Sequence, residues 1–94
     1  VPFHPVTGEV VGNGMKEQAV QTLANMKAVL EAAGLAVTDI AKTTVFVTNM
    51  DDFAAFNEVY AAFMGEHRPA RVCVEVGNIA HGCLLEMDAI CFKE

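Results

Sequence analysis

Basic residues are scarce in this sequence: Lys and Arg together number 6 against 12 acidic residues, a formal net charge of −6. Nucleic-acid binding uses Lys and Arg to displace counterions from phosphates. Here they are scattered, with no basic run and no stripe of aromatic and basic residues, so RNA or DNA binding is not expected. Cysteine is sparse too. Cys73, Cys83 and Cys91 are odd in number and lack CxxC spacing, which argues against a disulfide framework or a zinc site and fits a reducing compartment. His4, His67 and His81 fall in predicted loops, and His81 with Cys83 has no further ligand at metal spacing, so no metal is expected. No apolar run could span a membrane and no charged-then-apolar leader is visible. No Gly-rich loop joins a strand to a helix as a phosphate cradle requires. These absences lead us to expect a soluble, cytoplasmic protein.

What is present is apolar. Hydrophobic residues make up 53% of 94 positions, rich enough for so small a chain that some of this surface is expected to be buried against partner subunits. Without repeats, low-complexity stretches or linkers, residues 1–94 read as one domain. The sequence opens on Val1 with no strand or cap before it, and reads as a processed product, a fragment or part of something longer.

Residues 5–14 are turn-rich, with a short extended piece around Glu9–Val11. Ala19, Leu23, Met26, Leu30 and Ala33 recur at three- and four-residue steps, predicting a helix from about Met15 to Ala33 with Asn13 as N-cap and Gly34 at its end. Residues 41–48 are β-branched and extended. Asp51 or Asp52 then caps a second helix carrying the stripe Phe53, Phe56, Tyr60 and Phe63, closed by Gly65. Two strands follow. In 70–76, Val72, Val74 and Val76 oppose Arg71, Cys73 and Glu75; in 83–92, Cys83, Leu85, Met87, Ala89 and Cys91 oppose Glu86 and Asp88. By proximity these two strands would pair as a hairpin. The whole predicts an α+β sandwich with both helices on one face of the sheet and the other face solvated or covered by another subunit.

Among polar residues Arg71 is the most informative. A guanidinium in a strand beside three valines is costly unless it meets an anion, and its planar fork suits a carboxylate. An internal ion pair with Asp88 or Glu86 would satisfy it equally. Glu86, on an otherwise apolar strand, is either a general base for water or a solvated or Arg71-paired carboxylate. Cys73 shares the pleat side of Arg71 and reads as pocket wall, since no histidine lies near in sequence to activate it. Asn57 sits off the aromatic stripe of the second helix and by itself reads as exposed.

Taken in order, these segments resemble one family. Pro5-Val-Thr-Gly-Glu9 is similar to its P-x-T-G-E turn, and Glu17-Gln18 through Asn25-Met-Lys-Ala-Val-Leu-Glu-Ala-Ala-Gly34 to its first helix. Asp39-Ile-Ala-Lys-Thr-Thr-Val-Phe-Val-Thr48, Asp52-Phe53, Asn57-Glu-Val-Tyr60, Pro69-Ala-Arg71-x-Cys73-Val-Glu-Val76 and Leu85-Glu86-Met-Asp-Ala-Ile90 follow in register. The sequence is identified as a member of the RidA/YjgF family, older labels endoribonuclease L-PSP and translation inhibitor. The resemblance implies a chorismate-mutase-like mixed sheet with two helices on one face, and a homotrimer with sites between subunits. It also implies that the last strand lies between the first two rather than beside 70–76.

The implied reaction is cofactor-independent hydrolysis of 2-imino acids (2-iminobutanoate, 2-iminopropanoate) to 2-oxo acids and ammonia. Arg71 would clamp the carboxylate, Glu86 would handle water, Cys73 would line the pocket and Asn57 would support the site across an interface. Three features depart from the pattern. The family's G-P-Y segment and the strand ending S-G-Q do not appear ahead of Val1. Its V-A-R-L-P-K run here reads Val76-Gly-Asn-Ile-Ala-His81, and the loop before Pro69 is short. A small-carboxylate-binding regulatory paralogue is the alternative; ribonuclease and translation-inhibitor roles fit the acidic composition less well, and a chaperone role is permitted by the apolar composition but not specified by it.

Overall fold

The computed structural model describes residues 1–93. Helix α1 spans Met15–Ala32, strand β1 Ile40–Val47, helix α2 Phe53–Met64, strand β2 Ala70–Glu75 and strand β3 Leu85–Cys91. Short 3-10 turns cover Val37–Asp39, Met50–Asp52 and Ala80–Gly82. The sheet order is β2-β1-β3, with β2 parallel and β3 antiparallel to β1.

The predicted hairpin between 70–76 and 83–92 does not form; β1 separates the two strands. Residues 76–84 connect them, longer than the two to five residues of a tight hairpin loop, and they let the chain cross to the far side of β1. Burial favours this order. Val45 and Val47 of β1 are fully buried, whereas β2 is exposed along nearly its whole length, as befits an edge. β3 lies beside β1 and away from β2, as the resemblance implies, but among the described residues it is an edge strand rather than one held between two others. The extended piece near Glu9–Val11 is only an isolated bridge between Phe3 and Val10, and among the described residues no strand pairs with the outer edge of β3.

Both helices cover one sheet face. Ala19, Leu23 and Leu30 of α1 and Phe56, Tyr60 and Met64 of α2 pack with Val45, Val47, Leu85 and Met87 into one core. A fully buried side chain of the size of Phe56 or Leu85 contributes about 1.5–3 kcal/mol. Along α2 the buried stripe is Phe56, Tyr60 and Met64, leaving Phe53 and Phe63 half-buried at its margins. One buried polar pair crosses this core: the Thr43 hydroxyl and the Tyr60 phenol are 2.9 Å apart.

The helix ends differ from expectation in detail. The N-cap of α1 is Gly14, not Asn13, and offers no side-chain bond. The Asn13 N–H instead donates to the Glu17 carboxylate at 3.1 Å, an acceptor well placed at a positive helix start. Gly12, at φ +91, lies against Glu17 so closely that a Cβ there would sit 2.5 Å from the Glu17 Cβ. Gly34 takes the left-handed conformation after α1, its N–H donating to Glu31 while that of Leu35 donates to Leu30. Neither Asp51 nor Asp52 caps α2 with its side chain. Asn49 caps the preceding turn by accepting from Asp51 N–H at 2.9 Å, and the Glu75 carboxylate accepts from Met50 N–H at 2.8 Å.

Strand register fixes which side chains share a face. Arg71, Thr43 and Ala89 form one row across the sheet, and Cys73, Val45 and Met87 the next. Thr43, Val45 and Met87 are buried beneath the helices, so both rows face the helical layer. The intervening rows, Val72–Thr44–Asp88 and Val74–Phe46–Glu86, face the other way. That outer face presents Val72, Val74 and Ile90, all substantially exposed.

Candidate functional site

Arg71 stands at the edge where β2 meets α2. Its side chain is exposed, which removes most of the desolvation cost expected for a guanidinium in a strand interior. It does not pair with Asp88 or Glu86, because both point from the opposite sheet face. Instead one nitrogen donates to the Asn57 side-chain oxygen at 2.6 Å, and the guanidinium lies over the rings of Phe53 and Tyr60, 5.1 and 4.8 Å from their centroids. At an exposed guanidinium such stacking contributes about 0.5–1 kcal/mol and holds the planar group in one orientation. Tyr60 is itself pinned through Thr43.

Asn57 is thus more than a solvated residue of α2, because it fixes Arg71 within the same chain. Arg71 has five N–H donors, so the contact with Asn57 leaves others free. No carboxylate pairs with it among the described residues, where the ion pair observed is Lys16–Glu58.

Asn57, Tyr60, Ala61, Arg68, Pro69 and Arg71 line a cleft of about 420 Å³. Arg68 was not singled out from the sequence. It reaches this cleft from the loop between α2 and β2, and the signal that could have found it is the Arg68-Pro69-Ala70-Arg71 spacing, which sets two guanidinium groups around one proline. Arg68 donates to the carbonyl of Gly65 and, at 3.0 Å, to that of His67, a natural place for a cation at a helix C-terminus.

Cys73 follows Arg71 on the same face and packs half-buried against the core. Burial raises its thiol pKa above the ordinary value, and the nearby Arg71 charge offsets this only in part. A thiol so shifted stays protonated at neutral pH and is a poor nucleophile. Cys83, fully buried, is shifted upward chiefly by the same cause.

Glu86 is the residue that the fold sets apart. It is exposed on the outer face beside Phe46, while Arg71 faces the helices. Within one chain the two do not share a cleft. Two of the three histidines are occupied locally: His67 Nε2 lies 2.7 Å from the Ile40 carbonyl, and His4 Nδ1 accepts from Val6 N–H at 3.1 Å. Among the described residues no three His, Cys, Asp or Glu side chains gather as a metal site would require, and no helix is long and apolar enough to cross a membrane.

Comparison with known proteins gives the same pattern of residues a wider setting. A RutC family protein of Pyrococcus horikoshii is 49% identical over 94 residues, spanning 100% of this chain and 75% of that protein. The 2-iminobutanoate/2-iminopropanoate deaminase of Escherichia coli K12 is 48% identical over 96 residues, spanning 99% of this chain and 74% of its own length. The crystal structure of E. coli TdcF with bound serine superposes with a TM-score of 0.92 at 44% identity, over 99% of this chain and 75% of TdcF. The family model described as endoribonuclease L-PSP matches residues 1–93. The α+β architecture, the register of its strands and these similarities agree: the chain belongs to the RidA/YjgF, or endoribonuclease L-PSP, family.

Proposed function

We propose that this protein is an imine/enamine deaminase, hydrolysing small 2-imino acids to 2-oxo acids and ammonia in clefts completed by a neighbouring copy of the chain in a homotrimer. The observation that carries the reading is Arg71: a guanidinium oriented by Asn57, Phe53 and Tyr60, free of any described carboxylate, at the mouth of an open cleft. A preset fork of this kind suits a planar carboxylate held by two parallel hydrogen bonds. Relatives named as deaminases support the choice of substrate.

The carboxylate clamp would fix the adjacent C=N carbon for attack. A water oxygen adds to that carbon and the imine nitrogen takes up a proton, giving a carbinolamine. Loss of ammonia from this intermediate, with the hydroxyl proton leaving, restores a carbonyl and yields the 2-oxo acid. Glu86 is the group suited to take the water proton and return it to the departing nitrogen. Because Glu86 faces away from Arg71 in its own chain, it would act in the cleft of a neighbour docked on the outer sheet face, where Val72, Val74 and Ile90 offer apolar surface for contact. Cys73, protonated, would form wall. The three free cysteines fit a cytoplasmic setting.

The alternative is a small-carboxylate-binding regulatory paralogue. It is favoured by the same separation: the clamp is complete within one chain and the water-handling acid is not. Imine hydrolysis with the imino acid generated in situ distinguishes them. A deaminase exceeds the spontaneous rate, and a mixture of Arg71→Ala and Glu86→Gln chains, each strongly impaired alone, regains activity after subunit exchange. Binding of 2-oxobutanoate without any rate above background would instead establish the paralogue.

A further inference from the structure

The chain has only two arginines, Arg68 and Arg71, and both line one cleft. In a protein with net charge −6, neither is paired with a carboxylate among the described residues. One such group is accounted for by a substrate carboxylate; the second is not. The geometry points to a site for a doubly charged substrate, in which Arg71 holds the carboxylate beside the reacting carbon and Arg68 holds a second carboxylate at the far end. The preferred substrates would then be 2-imino acids derived from dicarboxylic amino acids. This inference rests on the reading of Arg71 as the carboxylate ligand.

Three features make Arg68 suitable. The residue before a proline is confined to extended conformations, and the ring of Pro69 fixes its own φ, so the backbone that carries Arg68 is stiff. Its Nη1 is anchored on the carbonyls of Gly65 and His67, leaving Nε and Nη2 to meet a ligand. The cleft that both guanidinium groups line, about 420 Å³, also has room for a short dicarboxylic acid.

The bland account is that Arg68 only caps the C-terminus of α2. The two differ in what they predict for discrimination between ligands. Titration calorimetry with 2-oxoglutarate and 2-oxobutanoate, product analogues that differ in the distal carboxylate, reads this directly. We expect the protein to bind 2-oxoglutarate up to about fivefold more tightly, a size set by an exposed charge-assisted pair, with the ratio shrinking as salt is raised. Arg68→Gln should bring the ratio close to one, and Arg68→Lys should recover part of it. A ratio near one in the unaltered protein, or a ratio that Arg68→Gln leaves intact, overturns the inference. Failure here while 2-iminobutanoate is still hydrolysed leaves the deaminase reading standing. If neither acid binds and no imine is hydrolysed, the reading of Arg71 falls with it.

Discussion

Two clefts open at opposite edges of the sheet, and they differ in kind. The one beside β3 and α1 is the larger, about 540 Å³, and is lined by Met26, Leu30, Leu35, Met87 and Cys91 with Thr22 and Asn25 as its polar side chains. The one beside β2 and α2 is smaller, about 420 Å³, yet holds both arginines, Asn57 and the phenol of Tyr60. Size would select the first. Chemistry selects the second, because a small anionic substrate needs convergent donors, and an apolar groove offers none. The Thr22 hydroxyl even lacks a hydrogen-bond partner among the described residues, so the larger cleft holds a polar group without organising it.

The contrast can be broken most severely at Arg71. Arg71→Ala should lower kcat/KM for imine hydrolysis by about a thousandfold, since both binding and alignment are lost; a loss under tenfold in a rate assay would remove the clamp from the account. Glu86→Gln comes next, with kcat falling about a hundredfold, the lower range for loss of a general base, while 2-oxobutanoate still binds. Unchanged turnover would take Glu86 out of the mechanism.

The apolar cleft should respond in the opposite currency, stability rather than activity. Leu30→Ala should cost about 2 kcal/mol in urea denaturation, with hydrolysis per folded molecule retained. A lost activity at full stability would mean that the larger groove takes part in the chemistry. The smallest expected effect concerns Cys73. With its pKa raised by burial, alkylation by iodoacetamide should be slow at neutral pH and accelerate only as pH rises past the ordinary thiol range, because the thiolate is the reacting form. Arg71→Ala removes the opposing charge and should move that rise to still higher pH. Rapid modification at pH 7 would contradict the assignment of Cys73 as wall.

Much of this was legible in the sequence, for reasons that particular residues make plain. The alternation of Leu85, Met87, Ala89 and Cys91 against Glu86 and Asp88 assigned both faces of β3 correctly, since a period of two has one solution once one face is apolar. The helices were found within a residue at their ends. Strand neighbours were not readable by local reasoning: adjacency in sequence suggested a hairpin, and only family resemblance moved the last strand away from 70–76. Side-chain partners of Arg71 were hidden as well. Asn57 lies fourteen positions away in sequence and looked like a solvated helix residue, and Phe53 and Tyr60 were read as core stripe without their second role beneath a guanidinium. Arg68 was passed over because a charge in a loop is ordinarily solvated; its meaning depends on the cleft it shares.

In a crystal structure with 2-oxobutanoate bound, the carboxylate should lie in the cleft between α2 and β2, accepting two hydrogen bonds from Arg71 while Asn57 keeps its contact, with Glu86 of a neighbouring copy approaching the carbonyl carbon. A ligand seated in the apolar groove between α1 and β3, or one whose carboxylate avoids Arg71, would contradict the Arg71 clamp.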